Sequence, residues 1–354
     1  MINYEEALNI LKIELKSLTK TKVMPLLDSV KHVSAQNIYA TLSLPTQNIS
    51  LKDGYAYIDD TNYEVATGEI LKPHTKYVIP YEEDHKNAHY MYNIKQSGED
   101  IQKDELLISC GELITAYGIT SLASQGVKSI KVFKKPIVSI LSIGDNLCPI
   151  QKKIKSGEVY NTNALSLAAR ILEVGAKINK VWQVKNEKNA IKEHIEELSK
   201  QSDFIITTGA MSRHDAMSQL IYEDEFEILF HKVQISPAMP TAFTTYRQIP
   251  LLHLTGLPLS SLLGFELLGV FAIKKIKNEL IAKKLSLYVK NQKEFTCKES
   301  CTSAIPGFFN GHSFKSAPSF GAGMLNVLAK CNGYALIKNK SSVKTDELIE
   351  FFSF

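Results

Sequence analysis

Two loop segments carry side chains that are suited to binding an anionic ligand. Gly144-Asp145 ends an apolar run, and Asn161 and Asn163 precede a helical pattern. Thr207-Thr208-Gly209-Ala210-Met211-Ser212 ends a second apolar run and leads to Asp215. Backbone N–H groups at a glycine turn, a hydroxyl group and a helix N-terminus together bind anions. Each segment alone is also typical of an ordinary loop after a strand, so the predicted site depends on their combination.

A lysine and two acidic turns add further candidate groups. Lys232, in the segment Phe230-His231-Lys232-Val233, is a point charge suited to phosphate or another oxyanion. Asp53 precedes a glycine, and Asp100 ends Ser97-Gly98-Glu99-Asp100; both patterns are typical of solvated turns. Carboxylates that face a phosphate would also be ligands for Mg²⁺. The nine histidines have no metal-ligand spacing, which argues against a zinc or iron site.

The composition predicts a soluble protein of several domains and argues against binding to membranes or nucleic acids. The 354 residues are 44% hydrophobic and 22% charged, as in an ordinary soluble protein of several domains. A net charge of +4 is too small to indicate nucleic-acid binding. No apolar run approaches the ~20 residues that span a membrane, and the start lacks the pattern of a signal peptide. Five scattered cysteines suit a reducing compartment, so we expect a cytoplasmic protein that binds neither membrane nor nucleic acid.

Alternating strand and helix patterns from about residue 136 to 280 indicate an α/β domain. Such alternation favours a doubly wound sheet, in which ligands bind beyond the carboxyl ends of the strands. Residues 4–40 have the broad apolar face of a helical region, residues 46–132 form short β-like runs, and the C-terminal residues predict a separate β domain. In the α/β part we expect strands 137–143, 177–184, 204–208 and 228–235; helices 164–174 (between Asn163 as N-cap and Gly175), 187–200, 215–222 and 259–281; and a hairpin of 241–245 with 250–254 around Arg247-Gln248.

Taken in order, the motifs resemble those of the molybdopterin molybdenumtransferase family, also called the MoeA / gephyrin E-domain family. The resemblance runs along almost the whole chain, and the ordered set is specific although each motif alone is weak. The motifs are Pro45…Asp53-Gly54-Tyr55-Ala56, Thr67-Gly68, Gly98-Glu99-Asp100-Ile101, Gly144-Asp145, Tyr160-Asn161-Thr162-Asn163, Phe230-His231-Lys232-Val233, Gly256-Leu257-Pro258, Phe265-Glu266-Leu267 and Gly321-Ala-Gly-Met-Leu325.

The resemblance implies a multidomain protein of the α/β plus β class. Its parts would be a helical and linker domain (1–45 and 121–135), a β-rich inserted domain (46–120), a doubly wound molybdopterin-binding α/β domain (136–281) and a C-terminal β-barrel (282–354). It also implies a homodimer in which the β-rich domain of one subunit faces the α/β domain of the other. That arrangement would bring Asp53 and Asp100 to Asp145.

The resemblance further implies a reaction in molybdenum cofactor biosynthesis. Adenylylated molybdopterin and molybdate would react with Mg²⁺ present, AMP would be released, and the molybdopterin adenylyltransferase is a candidate partner. Asp53, Asp100 and Asp145 would be the catalytic acids, with Asp53 and Asp145 as metal ligands. The substrate-binding residues would be Thr67, Gly144, Asn161, Asn163, Gly209, Ser212, Asp215 and Lys232.

Several positions depart from the family pattern, and they leave two hypotheses open. One is an active molybdenumtransferase, which the retained Asp53, Asp100, Asp145 and Lys232 favour. The other is a catalytically impaired relative that binds molybdopterin or a partner enzyme as a scaffold; a generic nucleotide-binding protein explains none of the ordered motifs. The departures are Asn146 and Asn186 in place of acids, bulky Met211, Arg213 and His214, two lysines lost from 236–240, and Leu-Ser-Ser at 259–261.

Overall fold

The computed structural model describes residues 1–280 and 285–354. These residues form two compact units: a large unit of Met1–Lys20 with Phe133–Phe354, and a small unit of Thr21–Val132. No helix within the described ranges is long and apolar enough to cross a membrane. The domain boundaries that we expected stay predictions, and the one at residues 281 and 282 lies outside the described residues.

The chain forms seven α-helical segments and 25 strands within the described residues. The helices are α1 (Tyr4–Glu14), α2 (Ala116–Ser124), α3 (Thr162–Val174), α4 (Lys188–Ser199), α5 (Ala216–Leu220), α6 (Pro258–Gly264) and α7 (Val270–Ile276), with a π-helical turn at Phe265–Gly269 and 3₁₀ turns at Leu27–Ser29, His85–Asn87 and Leu328–Lys330. The strands are β1 (Thr21–Pro25), β2 (Ile38–Tyr39), β3 (Ile49–Ser50), β4 (Gly54–Ile58), β5 (Thr61–Val65), β6 (Tyr77–Pro80), β7 (Ile94–Lys95), β8 (Leu106–Ile108), β9 (Ser129–Phe133), β10 (Ile137–Ile143), β11 (Leu147–Cys148), β12 (Val159–Tyr160), β13 (Lys177–Val184), β14 (Phe204–Thr208), β15 (Phe226–His231), β16 (Ile235–Ser236), β17 (Ala242–Tyr246), β18 (Ile249–Leu254), β19 (Leu287–Asn291), β20 (Phe295–Thr296), β21 (Thr302–Phe309), β22 (Ser313–Ser316), β23 (Gly333–Lys338), β24 (Ser342–Val343) and β25 (Leu348–Ser353).

A six-stranded sheet in the order β13-β10-β14-β18-β17-β15 is the centre of the large unit. Strands β13, β10, β14 and β18 are parallel, whereas β17 runs antiparallel to both of its neighbours. Successive side chains of β10 enter two different apolar cores: Ile140 packs with helices α3, α6 and α7, and Leu141 with α4 and α5. Burial of both faces explains the near-continuous apolar runs of β10 and β14. The expected doubly wound α/β fold is confirmed.

The sheet has a topological switch point between β10 and β14. The chain leaves β10 toward β13 on one side and then returns to β14 on the other side. The loops after β10 and β14 therefore diverge and leave a crevice beyond the carboxyl ends of the two strands. This crevice lies where the glycine-containing loops at Gly144 and Gly209 were expected to form a ligand site.

The C-terminal strands close into a barrel. Strands β21, β22, β19, β25 and β23 pair in turn, and β23 pairs back with β21. Phe314, Phe351 and Val289 lie in the barrel core. The expected C-terminal β-barrel is confirmed, and the small unit has the expected short strands, with β5-β4-β6 as its three-stranded sheet.

The prediction of helix for residues 4–40 is wrong beyond Glu14. Leu15 has an extended backbone, and the chain beyond it is tied to α7 because the Leu18 N–H donates to the Ile276 carbonyl at 2.8 Å. Residues 21–25 then pair with β9 as strand β1. The apolar periodicity of the first helical turns does not continue beyond Glu14. Hydrogen bonds to distant segments replace helical hydrogen bonds there.

Two local predictions have different outcomes. The hairpin of β17 and β18 is confirmed, and its turn residues Arg247 and Gln248 have φ values of 48° and 69°, as a tight two-residue turn requires. Helix α3 begins two residues earlier than expected, because Asn161 and not Asn163 is its N-cap. The prediction that the last helix of this part runs to residue 281 is wrong: α7 ends at Ile276 with Lys277 as its C-cap, and residues 278–280 are not helical.

His253 is fully buried in the sheet between two threonines. Its Nδ1 lies 2.9 Å from Thr207 Oγ1, and its Nε2 lies 2.8 Å from Thr244 Oγ1. Burial lowers the pKa of His253 from 6.5 to about 3. The neutral imidazole is therefore the form that the folded sheet accommodates.

We predict that acid destabilises the large unit through His253. Because the folded pKa lies below the unfolded one, this stability is complete above pH 6.5 and is lost as the pH falls toward 3. Between pH 7 and 5 the loss should be about 2 kcal/mol. Urea unfolding followed by the fluorescence of Trp182, the single tryptophan, measures it.

His253→Gln is the control, because it keeps a polar side chain between the threonines and cannot titrate. His231 also has a lowered pKa, caused by burial and Lys232, so the test is the difference between the two pH profiles. Parallel profiles for the wild type and His253→Gln would contradict the prediction.

Candidate functional site

Gly209 brings the loop after β14 against the end of β10. Its φ is 99°, and a Cβ atom at this position would lie 2.2 Å from the Ile143 carbonyl oxygen. Its N–H donates to the Leu254 carbonyl at 3.0 Å, so three neighbouring strand ends meet here. Glycine is required for both the backbone conformation and the close approach.

A cavity of about 440 Å³ opens beside this contact. Asn163 lies in its wall, where Nδ2 donates to Thr208 Oγ1 at 3.0 Å and to the Gly256 carbonyl at 2.9 Å. Thr208 Oγ1 in turn donates to the Thr255 carbonyl at 2.9 Å. This buried network joins α3 to the ends of β14 and β18. The apolar walls are Ile143, Leu147, Ile154, Val159, Pro258 and Leu325.

The two asparagines of the expected site have separate roles. Asn161 caps α3, since its side-chain oxygen accepts from the Ala164 N–H at 3.4 Å, and it also lines the cavity. Asn163 is buried within the first turn of α3 and connects the loops. The structure thus places Asn161 and Asn163 in the wall of the cavity, while Gly144 and Gly209 lie in the loops that follow β10 and β14.

Two buried hydroxyl groups at this crevice were not anticipated. Within the described residues, Ser142 Oγ and Thr255 Oγ1 have no hydrogen-bond partner. Ser142 belongs to the cavity wall, and Thr255 follows the end of β18. An unpaired buried hydroxyl is costly, and a bound polar ligand would satisfy it. The available signal was a serine near the carboxyl end of a mostly apolar strand.

Asn186 connects the two acidic residues of the large-unit site. Its backbone N–H donates to Asp145 Oδ1 at 3.0 Å, and its Nδ2 donates to Asp215 Oδ1 at 3.1 Å. The other Asp215 oxygen accepts from the Ser212 N–H at 2.8 Å. Asp145, Ser212 and Asp215 thus lie in one hydrogen-bonded group at the loop ends.

This donor set does not fit a magnesium ion. Among the residues that the structure describes, no group of three or more His, Cys, Asp or Glu side chains is placed to hold a metal. Both oxygens of Asp215 already accept N–H groups, and the third position of the group is the neutral Asn186. Mg²⁺ prefers carboxylate, phosphate and water oxygens in an octahedral shell.

The predicted residues of the small unit lie in exposed turns. Asp53 Oδ1 accepts from the Thr67 N–H at 2.6 Å, and hydrogen bonds from the Thr67 backbone and side chain lower the pKa of Asp53. Asp100 forms an ion pair with Lys95. Thr67 and Asp53 are therefore placed together, and Asp100 has a local cationic partner that the sequence analysis did not identify.

Lys232 lies at the same edge of the sheet as the cavity but farther along it. It follows β15, which runs parallel to β14 and β18 because β17 reverses between them. Three strand spacings separate β15 from β14, or roughly 14 Å. The side chain is exposed, and the backbone has a φ of 68°. Lys232 is thus available to a ligand that extends along this edge.

Comparison with known proteins identifies the parts of this architecture. Residues 2–126 match the family model described as MoeA N-terminal region (domain I and II), and residues 139–275 match the probable molybdopterin binding domain. The fold and the switch-point crevice thus define a multidomain protein of molybdenum cofactor biosynthesis. The chain belongs to the MoeA family.

Individual relatives agree with this assignment. A putative molybdopterin biosynthesis protein of Methanocaldococcus jannaschii is 26% identical over 94% of this chain and 92% of its own length. A molybdopterin molybdenumtransferase of Bacillus subtilis is 33% identical, over 49% of this chain and 41% of its own length. A molybdopterin biosynthesis MoeA protein structure from Pyrococcus horikoshii covers both chains fully, with 19% identity and a TM-score of 0.85. That likeness concerns the fold alone.

We predict that Gly209→Ala destabilises the large unit and distorts the cavity. The added Cβ meets a backbone carbonyl and the positive φ becomes strained, so the loss should be about 2–4 kcal/mol. Unfolding followed by Trp182 fluorescence measures it. Ala210→Gly is the matched control: Ala210 already has a φ of 55°, so glycine there relieves strain. Equal destabilisation by the two substitutions would contradict this account of the loop.

Proposed function

We propose that the chain binds molybdopterin in the cavity at the ends of β10, β14 and β18. The observation that carries this proposal is the unpaired Ser142 hydroxyl in a cavity with apolar walls and an amide-hydroxyl network. A pterin is a flat ring system with polar edges, so it needs apolar faces and a few directed hydrogen bonds. The match of residues 139–275 to a probable molybdopterin binding domain supports the same ligand.

Different residues of the chain would contact different parts of the ligand. Asn163 and Thr208 hold the crevice open in one geometry, and Ser142 offers a hydrogen bond to a polar ring edge. The N–H groups of Gly209 and Ser212 have internal acceptors, so their proposed contribution to anion binding would come from loop position and the Ser212 hydroxyl. Lys232 would hold a phosphate or molybdate farther along the sheet edge.

Ser142→Ala tests this proposal. The substitution removes a buried hydroxyl that has no protein partner, so the unliganded protein should keep or gain stability. Molybdopterin binding should weaken about tenfold, the value of one hydrogen bond to a ligand. Fluorescence titration with molybdopterin and urea unfolding together measure both effects.

Ser139→Ala is the matched control on the same strand. Ser139 Oγ already bonds Ser202 Oγ at 2.7 Å and accepts from Asn179 Nδ2 at 3.2 Å. This variant should lose stability and keep its affinity for molybdopterin. Unchanged affinity in Ser142→Ala would show that the pterin does not occupy the proposed cavity.

The first candidate reaction is insertion of molybdate into adenylylated molybdopterin with release of AMP. The retained carboxylates Asp53, Asp100 and Asp145 support it, and the lowered pKa of Asp53 keeps that group ionised. Asp53 and Asp145 were the expected Mg²⁺ ligands. Asp145 lies in the large unit, whose described side chains do not form a Mg²⁺ site by themselves. We also propose the homodimer that the resemblance implies, which would complete the site with Asp53 and Asp100 from a second subunit.

The second candidate is pterin binding without turnover, with the chain acting as a scaffold for a partner such as the molybdopterin adenylyltransferase. The neutral Asn186 between Asp145 and Asp215 favours this candidate, because a carboxylate there would add charge to the site. Both candidates require the same cavity. They differ in whether the phosphoanhydride of the adenylylated pterin is cleaved.

AMP release separates the two candidates. If the chain is a molybdenumtransferase, purified protein with adenylylated molybdopterin should release AMP only when molybdate is added, and Asp53→Ala should lower the rate at least about 100-fold. Reactions with Mg²⁺ and with EDTA show whether a divalent cation is required. Glu64→Ala, in the neighbouring strand β5, is the control for a lost surface carboxylate. Tight pterin binding with no molybdate-dependent AMP would contradict the first candidate and support the second.

A further inference from the structure

Asn186 makes three hydrogen bonds that tie together the loops after β10, β13 and β14. We call the group of Asp145, Asn186, Asp215 and the Ala216 N–H the Asn186 clasp. The Asn186 N–H donates to Asp145 Oδ1 at 3.0 Å, and Nδ2 donates to Asp215 Oδ1 at 3.1 Å. Asn186 Oδ1 accepts from the Ala216 N–H at 3.0 Å. All of these groups lie within the large unit.

The hydrogen bonds determine the orientation of the amide. The Ala216 N–H can only donate, so it requires the amide oxygen of Asn186. The amide nitrogen then faces Asp215, whose carboxylate can only accept when ionised. The reversed orientation would place oxygen against oxygen and N–H against N–H. An aspartate at position 186 would satisfy the Ala216 N–H but would repel Asp215.

N–H groups place positive partial charge beside the carboxylates of Asp145 and Asp215. A bound cation would otherwise supply that charge. Asp145 receives one N–H group, and Asp215 receives two, from Asn186 and Ser212. Such charge-assisted hydrogen bonds stabilise ionised carboxylates without a metal. Oxygen atoms that point at N–H groups are not arranged as a ligand shell for a divalent ion.

We propose that Asn186 is a positioning residue that takes the place of a divalent cation in organising these loops. The ligand-free site is then ordered without Mg²⁺. A carboxylate at position 186 would convert the clasp into a cation-dependent group of three acids. This inference is independent of pterin binding, because it concerns the protein alone.

The experiment compares the wild type with Asn186→Asp in the ligand-free full chain. The wild type should have the same thermal unfolding temperature in EDTA and in millimolar Mg²⁺. Asn186→Asp should unfold at a lower temperature in EDTA and recover in Mg²⁺. Its affinity for Mn²⁺, measured by electron paramagnetic resonance as a substitute for Mg²⁺, should exceed that of the wild type at least about tenfold.

Asn179→Asp is the matched control, because Asn179 is on β13 and bonds Ser139 Oγ away from the clasp. It should show no recovery in Mg²⁺. A purely structural role for Asn186 would make Asn186→Asp less stable with no recovery by Mg²⁺, and that result would overturn the proposal.

Wild-type protein provides a second test that does not depend on whether the variant folds. If the wild type binds one Mn²⁺ per chain, and Asp145→Asn or Asp215→Asn abolishes this binding, a cation occupies the clasp and the proposal fails. If the wild type binds no Mn²⁺ at the clasp, the proposal holds whether or not the protein binds molybdopterin.

Discussion

The approach of Gly209 to the end of β10 is the constraint on which the site depends. The missing side chain lets two strand ends come together at the switch point, with the Ile143 carbonyl where a Cβ would otherwise be. The nearby Asn163 then bonds both Thr208 and the Gly256 carbonyl. A bulkier residue at 209 would separate the loops, and the buried polar network would lose its geometry.

The site that results combines apolar walls with neutral polar groups. Amides and hydroxyls line the crevice, and the nearby carboxylates of Asp145 and Asp215 are held by N–H groups. This composition suits the recognition of a polar, flat ligand by directed hydrogen bonds more than the tight binding of a cation. Family membership and the departures at positions 146 and 186 are therefore compatible: the family's fold is retained, and neutral amides stand at two positions where the family pattern has acids.

Much of the α/β fold could be predicted because its signals are local. Buried parallel strands such as β10 and β14 are mostly apolar, and the turn at Arg247-Gln248 separates two matching runs. The prediction failed where local and distant interactions compete. Residues after Glu14 have apolar side chains that a helix could use, but they pack and pair with distant segments.

The candidate site was predictable only in part, for a related reason. Gly144, Asn161, Asn163 and Gly209 have residue types and spacings that mark loops at strand ends. Asn161 and Asn163 line the cavity, and Gly209 packs against the end of β10. Asn163 was expected to cap α3, and its actual partners are 45 and 93 positions away in the chain. Side chains that bond across such separations leave no periodic pattern.

The amino-acid sequence by itself determined the fold class, the family and the order of the loops that meet at the crevice. These properties follow from hydrophobic periodicity and turn residues, which act over a few positions. Only the tertiary structure decided that Ser142 has no partner, that Lys232 is several strands from the cavity, and that Asn186 holds both Asp145 and Asp215. Those properties depend on which strands are neighbours in the sheet, and hydrogen bonds form between neighbours in space whatever their separation in sequence.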